Sequence, residues 1–143
     1  MIRMSLTVKT DGLRNYTANL STLGKVVSAT AANIEGEAKT SITKRQSRGN
    51  VYERGGKIHY AAEPGNPPNQ DTGKLAGSIG HKMTGPTSAE VRAGAEYAIP
   101  LEIGWISKDG EFQGPFPFMV PAVKKHEKPF QQAVASVLKG RKG

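Results

Sequence analysis

The sequence predicts an α+β chain, and three observations carry that expectation. An apolar stripe at helical spacing runs through the first third, from Leu13 to Ile42. Short strand-forming runs, punctuated by glycine, fill positions 81–103. A second helical stripe follows Pro115-Phe116-Pro117-Phe118. The expected arrangement is a long N-terminal amphipathic helix and a C-terminal helix packed on a small, mostly antiparallel sheet, with a long basic Gly/Pro-rich loop or hairpin arm. At 143 residues the chain has the length of one domain, 1–143.

Each element has its own signature. Leu6-Thr7-Val8-Lys9-Thr10 alternates apolar and polar residues, which predicts a short half-buried strand. Asp11 can then cap a helix by accepting free backbone N–H groups. From there Leu13, Tyr16, Leu20, Leu23, Val27, Ala31, Ile34, Ala38 and Ile42 recur at steps of three and four. That spacing predicts a helix of about 30 residues, roughly 45 Å long, with Gly24 and Gly36 weakening it.

Positions 44–70 change character. Lys44, Arg45, Arg48, Arg54 and Lys57 are interleaved with glycines and prolines. Val51-Tyr52-Glu53 and Lys57-Ile58-His59-Tyr60-Ala61 flank Arg54-Gly55-Gly56, which predicts a small hairpin on a protruding arm. Asp71 or Thr72 next caps a short helix that turns Leu75 and Ile79 inward. His81–Thr84, Ala89–Ala93 and Tyr97–Ile103 are expected as three strands. Pro100 places the last of them at an edge or a bulge. A flexible loop at 104–115 precedes the C-terminal helix marked by Val120, Val123, Phe130, Val134 and Val137, which Pro129 is expected to kink or split. Residues 139–143 are expected as a frayed basic tail.

Composition bounds the chemistry. With 36% hydrophobic and 6% aromatic residues the core is expected to be thin, with part of the stability supplied by neighbours in an assembly. Zero Cys excludes disulfides, thiolate metal sites and thiol nucleophiles. The first residues lack a signal-peptide apolar stretch, and no apolar run reaches bilayer length, so a soluble, membrane-free protein made in a cytoplasm is expected. Asp71-Thr72-Gly73 is the aspartic-protease triplet, but Pro67-Pro68-Asn69-Gln70 replaces the apolar strand such an Asp needs, and a helix cap is the better reading. His59, His81 and His126 lack metal-site spacing, and no phosphate-binding glycine loop or nucleophile elbow occurs. No catalytic, cofactor-binding or metal site is expected.

Charge and aromatics point to binding. Twenty Lys and Arg against 12 Asp and Glu give +8, which favours phosphate-rich or acidic partners. Lys44, Arg45, Arg48, Arg54 and Lys57 are therefore candidate DNA-channel or partner-facing residues. Tyr52, Tyr60, Trp105 and Phe112 are candidate subunit or partner contacts, because aromatics are enriched at protein interfaces. Either Phe116 or Phe118 is expected to pack the last helix onto the sheet.

Three motifs in this order resemble one family. Pro67-Pro68-Asn69-Gln70-Asp71-Thr72-Gly73-Lys74-Leu75 ends the basic loop. Tyr97-Ala98-Ile99-Pro100-Leu101-Glu102-Ile103-Gly104 and Pro117-Phe118-Met119-Val120-Pro121-Ala122 follow. The set is similar to the tail-completion or neck (head–tail joining, minor tail) proteins of long-tailed bacteriophages. The resemblance implies an α+β fold whose sheet carries the long helix, assembled as a homo-oligomeric ring around the DNA channel. Six copies would match tail symmetry and twelve a portal-type connector. It further implies a non-enzymatic virion protein at the neck, present in the host cytoplasm during assembly. Its partners would be the connector, the tail terminator or tail tube proteins, and genomic DNA passing non-specifically through the lumen. In one departure, Trp105-Ile106 follows Gly104 where the family commonly has a small polar residue. The rival expectation is a basic nucleic-acid-binding module without catalytic activity, recognisable by tight, salt-steep binding to free DNA or RNA.

Overall fold

A computed structural model describes residues 2–9, 20–43, 51–54, 57–60, 65 and 74–140. The elements in chain order are β1 (Ile2–Thr7), α1 (Leu20–Thr43), β2 (Val51–Arg54), β3 (Lys57–Tyr60), α2 (Lys74–Gly77), β4 (Ile79–Gly85), β5 (Ser88–Ala93), α3 (Ala98–Ile103), β6 (Trp105–Ile106), β7 (Phe112–Gln113) and α4 (Met119–Gly140). The fold is α+β, as the sequence predicts. β1, β5 and β4 form an antiparallel sheet in the order β1-β5-β4. The pairs β2–β3 and β6–β7 are separate two-stranded ribbons.

Strand β1 starts earlier than Leu6–Thr10, because the alternation already holds at Ile2 and Met4 and the ladder pairs Ile2 with Ala93 through Thr7 with Ser88. Val8 leaves the ladder through a reciprocal pair. Its N–H donates to the Thr87 carbonyl (2.9 Å), and the Thr87 hydroxyl donates back to the Val8 carbonyl (2.9 Å).

Helix α1 lies across β4 and β5 and along α4. The described part of its stripe, Leu23, Val27, Ala31, Ile34, Ala38 and Ile42, is buried throughout. Each buried Leu, Ile or Val contributes about 1.5–3 kcal/mol relative to exposure. The alanines do something else, letting the helix axis approach the sheet, where Ala89, Val91 and Ala93 face it. Gly24 extends that close approach: a Cβ built there would lie 2.5 Å from the Pro86 carbonyl oxygen. Two ion-pair groups, at Glu35 and Glu37, tie α1 to its neighbours. Glu35 accepts from His81 Nδ1 of β4 (2.7 Å) and pairs with Lys39 (3.0 Å), while Glu37 pairs with Lys125 of α4 (3.1 Å). Burial alone would raise the Glu35 pKa, but the His81 and Lys39 contacts outweigh it and hold the carboxyl below its ordinary value.

Three expectations are corrected. Tyr97–Ile103 is not a strand: Tyr97 sits in a turn and Ala98–Ile103 is helix α3. Pro100 is the third residue of that helix, where its missing N–H has no intrahelical partner to lose. Ile79 does not end the short helix. It is buried as expected, but it opens β4, and α2 itself buries Leu75 and Ala76. Of the kink or split expected at Pro129, the split does not occur, since α4 runs from Met119 to Gly140 as one element. Pro129 is exposed, whereas Ala122, Val123 and Phe130 pack against the core on both sides of it. Phe118, completely buried, is the aromatic that joins α4 to the core.

Candidate assembly interface

The two C-terminal motifs are halves of one joint, made around Glu102. On α3, Ala98 and Glu102 fall four residues apart and both point inward. The start of α4, Phe118-Met119-Val120, lacks a Ser, Thr, Asp or Asn to cap it. Glu102 takes that part from sixteen residues away. Its Oε1 accepts from the backbone N–H of Phe118 (3.0 Å) and of Met119 (2.9 Å), and Oε2 accepts from Val120 N–H (3.0 Å). A carboxylate at this end also meets the positive pole of the helix dipole. Its residue is only 8% exposed, so the charge is held by these bonds rather than by water. A further tie, Phe116 N–H to the Leu101 carbonyl (2.6 Å), locks the segment before α4 to α3.

Between the halves stands the β6–β7 ribbon. Gly104 enters it at φ 91°, a conformation disfavoured for any residue with a Cβ. A Cβ there would also collide with the Phe112 ring and come within 2.8 Å of the Gln113 carbonyl oxygen. The ring of Phe112 therefore lies against the bare backbone of Gly104. Trp105 pairs with Gln113, and Ile106 with Phe112. The turn closes through Ser107 N–H to Glu111 carbonyl (2.8 Å) and Gly110 N–H to Ser107 carbonyl (2.9 Å). Segment 104–115, expected as a loop, thus contains a paired ribbon.

This frame presents apolar side chains to solvent. Ile103 is 66% exposed, Ile106 65% and Phe112 58%, and Ile99 lies one turn before Ile103 on the same side of α3. Grouped exposed apolar side chains mark interaction sites on soluble proteins. The ribbon turn adds exposed Asp109 and Glu111 against Lys108, and exposed Glu96 precedes α3. The exposed charged residues that flank these apolar side chains in sequence are thus mostly acidic.

The predicted site residues divide accordingly. Phe112 is on this surface. Trp105 is at its margin, 38% exposed, with its ring 5.8 Å from that of Phe116, so part of it packs within the chain. Tyr52, Arg54, Lys57 and Tyr60 belong to the β2–β3 ribbon, whose backbone register sets Tyr52 opposite His59 and Arg54 opposite Lys57. Nothing described brings that ribbon to the Phe112 surface, although Gly65 N–H, a few residues beyond it, donates to the Pro115 carbonyl (2.7 Å). Lys44, Arg45, Arg48, Asp71 and Thr72 lie outside the described residues. Sequence reading missed Ile99, Ile103 and Glu102. Read as a strand, 97–103 turns Ile99 and Ile103 inward and Glu102 outward; as a helix it does the reverse. The detectable signal was the i, i+4 spacing of Ile99 with Ile103 and of Ala98 with Glu102.

Among the described residues no cluster of His, Asp and Glu could hold a metal ion, and no helix is long and apolar enough to cross a membrane. No protein-family model matches the chain, and no curated protein or solved structure matches it.

Proposed function

We propose that this chain is a structural protein of a long-tailed phage virion that forms a homo-oligomeric ring at the head–tail junction. The observation that carries the reading is the set of exposed Ile99, Ile103, Ile106 and Phe112 side chains, on elements between Glu102 and the start of α4 that it caps. Apolar side chains left half in water suit an adaptor whose neighbours complete its packing. The resemblance in Pro67–Ile79, Tyr97–Gly104 and Phe118–Ala122 supplies the biological setting, and two of those three motifs form the joint itself. Six copies fit tail symmetry and twelve a portal-type connector. The connector, the tail terminator and tail tube proteins are the proposed neighbours, with DNA passing non-specifically through the lumen.

The test is to delete the gene from its parent phage and image the lysate by electron microscopy. DNA-filled heads beside separate tails, or tails of abnormal length, are the expected outcome. Intact infectious virions would remove the joining role. The net charge of +8 favours a second reading, a nucleic-acid-binding module, which predicts micromolar or tighter binding to free DNA with a steep salt slope.

A further inference from the structure

Charge is distributed unevenly along this chain. Positions 94–117 hold one of the 20 Lys and Arg, Lys108, but four of the 12 Asp and Glu: Glu96, Glu102, Asp109 and Glu111. Nineteen basic and eight acidic residues remain for all other positions. The apolar surface of α3 and the β6–β7 ribbon therefore sits in the acidic stretch of a strongly basic protein. A phosphate backbone is a poor occupant for a surface flanked mostly by acidic residues. Its fitting partner is apolar or aromatic at the centre and basic beside it. This chain contains such a segment: by its backbone register, one face of the β2–β3 ribbon carries Tyr52 and His59 together with Arg54 and Lys57. That ribbon is a sheet of its own and shares no ladder with the other described strands.

We infer that the β2–β3 ribbon of one copy docks on the Ile99, Ile103, Ile106 and Phe112 surface of the next, with Arg54 and Lys57 facing Asp109 and Glu111. The inference rests on the ring reading and names its contact. Two different surfaces meet, so the contact is head-to-tail, the kind that closes into a ring when the rotation allows. Opposite charge orients the contact, and the apolar and aromatic side chains contribute most of the affinity.

The absence of cysteine makes trapping clean, because any disulfide must come from introduced thiols. His59→Cys and Ile106→Cys are made singly and together in the full chain, then oxidised and run on non-reducing gels beside light scattering of the unoxidised protein. The double variant is expected to give a ladder of covalent multimers, and neither single variant should extend beyond a dimer. A faster-migrating monomer from the double variant would show the ribbon closing on its own chain and overturn the second-copy assignment. No cross-link in a protein that scatters as an oligomer would overturn the contact while leaving the ring. A species that stays monomeric at every concentration would overturn the self-association.

Charge reversal gives an independent readout. Asp109→Lys with Glu111→Lys should weaken association about tenfold, as should Arg54→Glu with Lys57→Glu, and the four changes together should restore it. Failure of the combined variant to recover would overturn the charge pairing. The phage deletion reports on the virion role separately, since ladder formation needs only purified protein.

Discussion

At the scale of the residue, Glu102 shows how a buried charge can organise a fold without any chemistry to perform. Three backbone N–H donors converge on its two oxygens at the end of a helix that has no cap of its own. Glu102→Gln keeps the shape but exchanges one acceptor for a donor pointed at other donors. The expected cost is about 2 kcal/mol, read as a lower urea midpoint at unchanged slope. Glu102→Ala should cost more, because it leaves the start of α4 uncapped in a partly buried setting. An unchanged midpoint in Glu102→Gln would mean that the cap does not hold α4 in place. In the sequence this glutamate is visible only as part of a motif. Its partner donors are backbone groups sixteen to eighteen residues away, and backbone groups carry no sequence signal.

At the scale of the element, α1 separates two glycines that look alike in the sequence. Both fall inside one helix, and both are expected to weaken it. Gly36 is exposed, with nothing within 4 Å of an added Cβ, so Gly36→Ala should stabilise the protein by about 1 kcal/mol. At Gly24 a Cβ meets the Pro86 carbonyl oxygen at 2.5 Å, which the turn between β4 and β5 must move to relieve. Gly24→Ala should therefore destabilise by about 1–2 kcal/mol despite the better helix propensity. Thermal unfolding of the two variants side by side checks the contrast, and equal shifts would refute it. Segment 97–103 makes the complementary point. Its residues fit both a two-residue and a three-to-four-residue period, and the choice between them reverses which side chains reach the core.

At the scale of the whole molecule, the described core is α1 packed against a three-stranded sheet, with α4 packed on α1, and it is rich in alanine and poor in large side chains. Large apolar groups remain outside it, on α3 and the β6–β7 ribbon. A chain built this way should gain stability by self-association, which links unfolding to concentration. A tenfold rise in protein concentration is expected to raise the thermal midpoint by about 3 °C. Phe112→Ser should remove the dependence while leaving the dilute-limit midpoint nearly unchanged, because that ring is mostly in water. A concentration-independent midpoint in a monomeric species would show that the fold is self-sufficient.

The sequence by itself determined the α+β class, the buried stripe of α1, the pairing-competent runs that became β4 and β5, the β2–β3 ribbon and that an aromatic, Phe116 or Phe118, packs the last helix. All of these depend on local periodicity or on one strongly apolar residue, which neighbouring positions suffice to reveal. Only the tertiary structure decided that α3 is a helix, that Pro129 lies within an unsplit α4, that Glu102 caps that helix, and that Ile99, Ile103 and Ile106 face outward. These depend on which surfaces meet across long separations, where short helices and strands take their form from what they pack against. An apolar residue announces that it will be covered. Whether its own chain or another copy covers it is set by the packing around it.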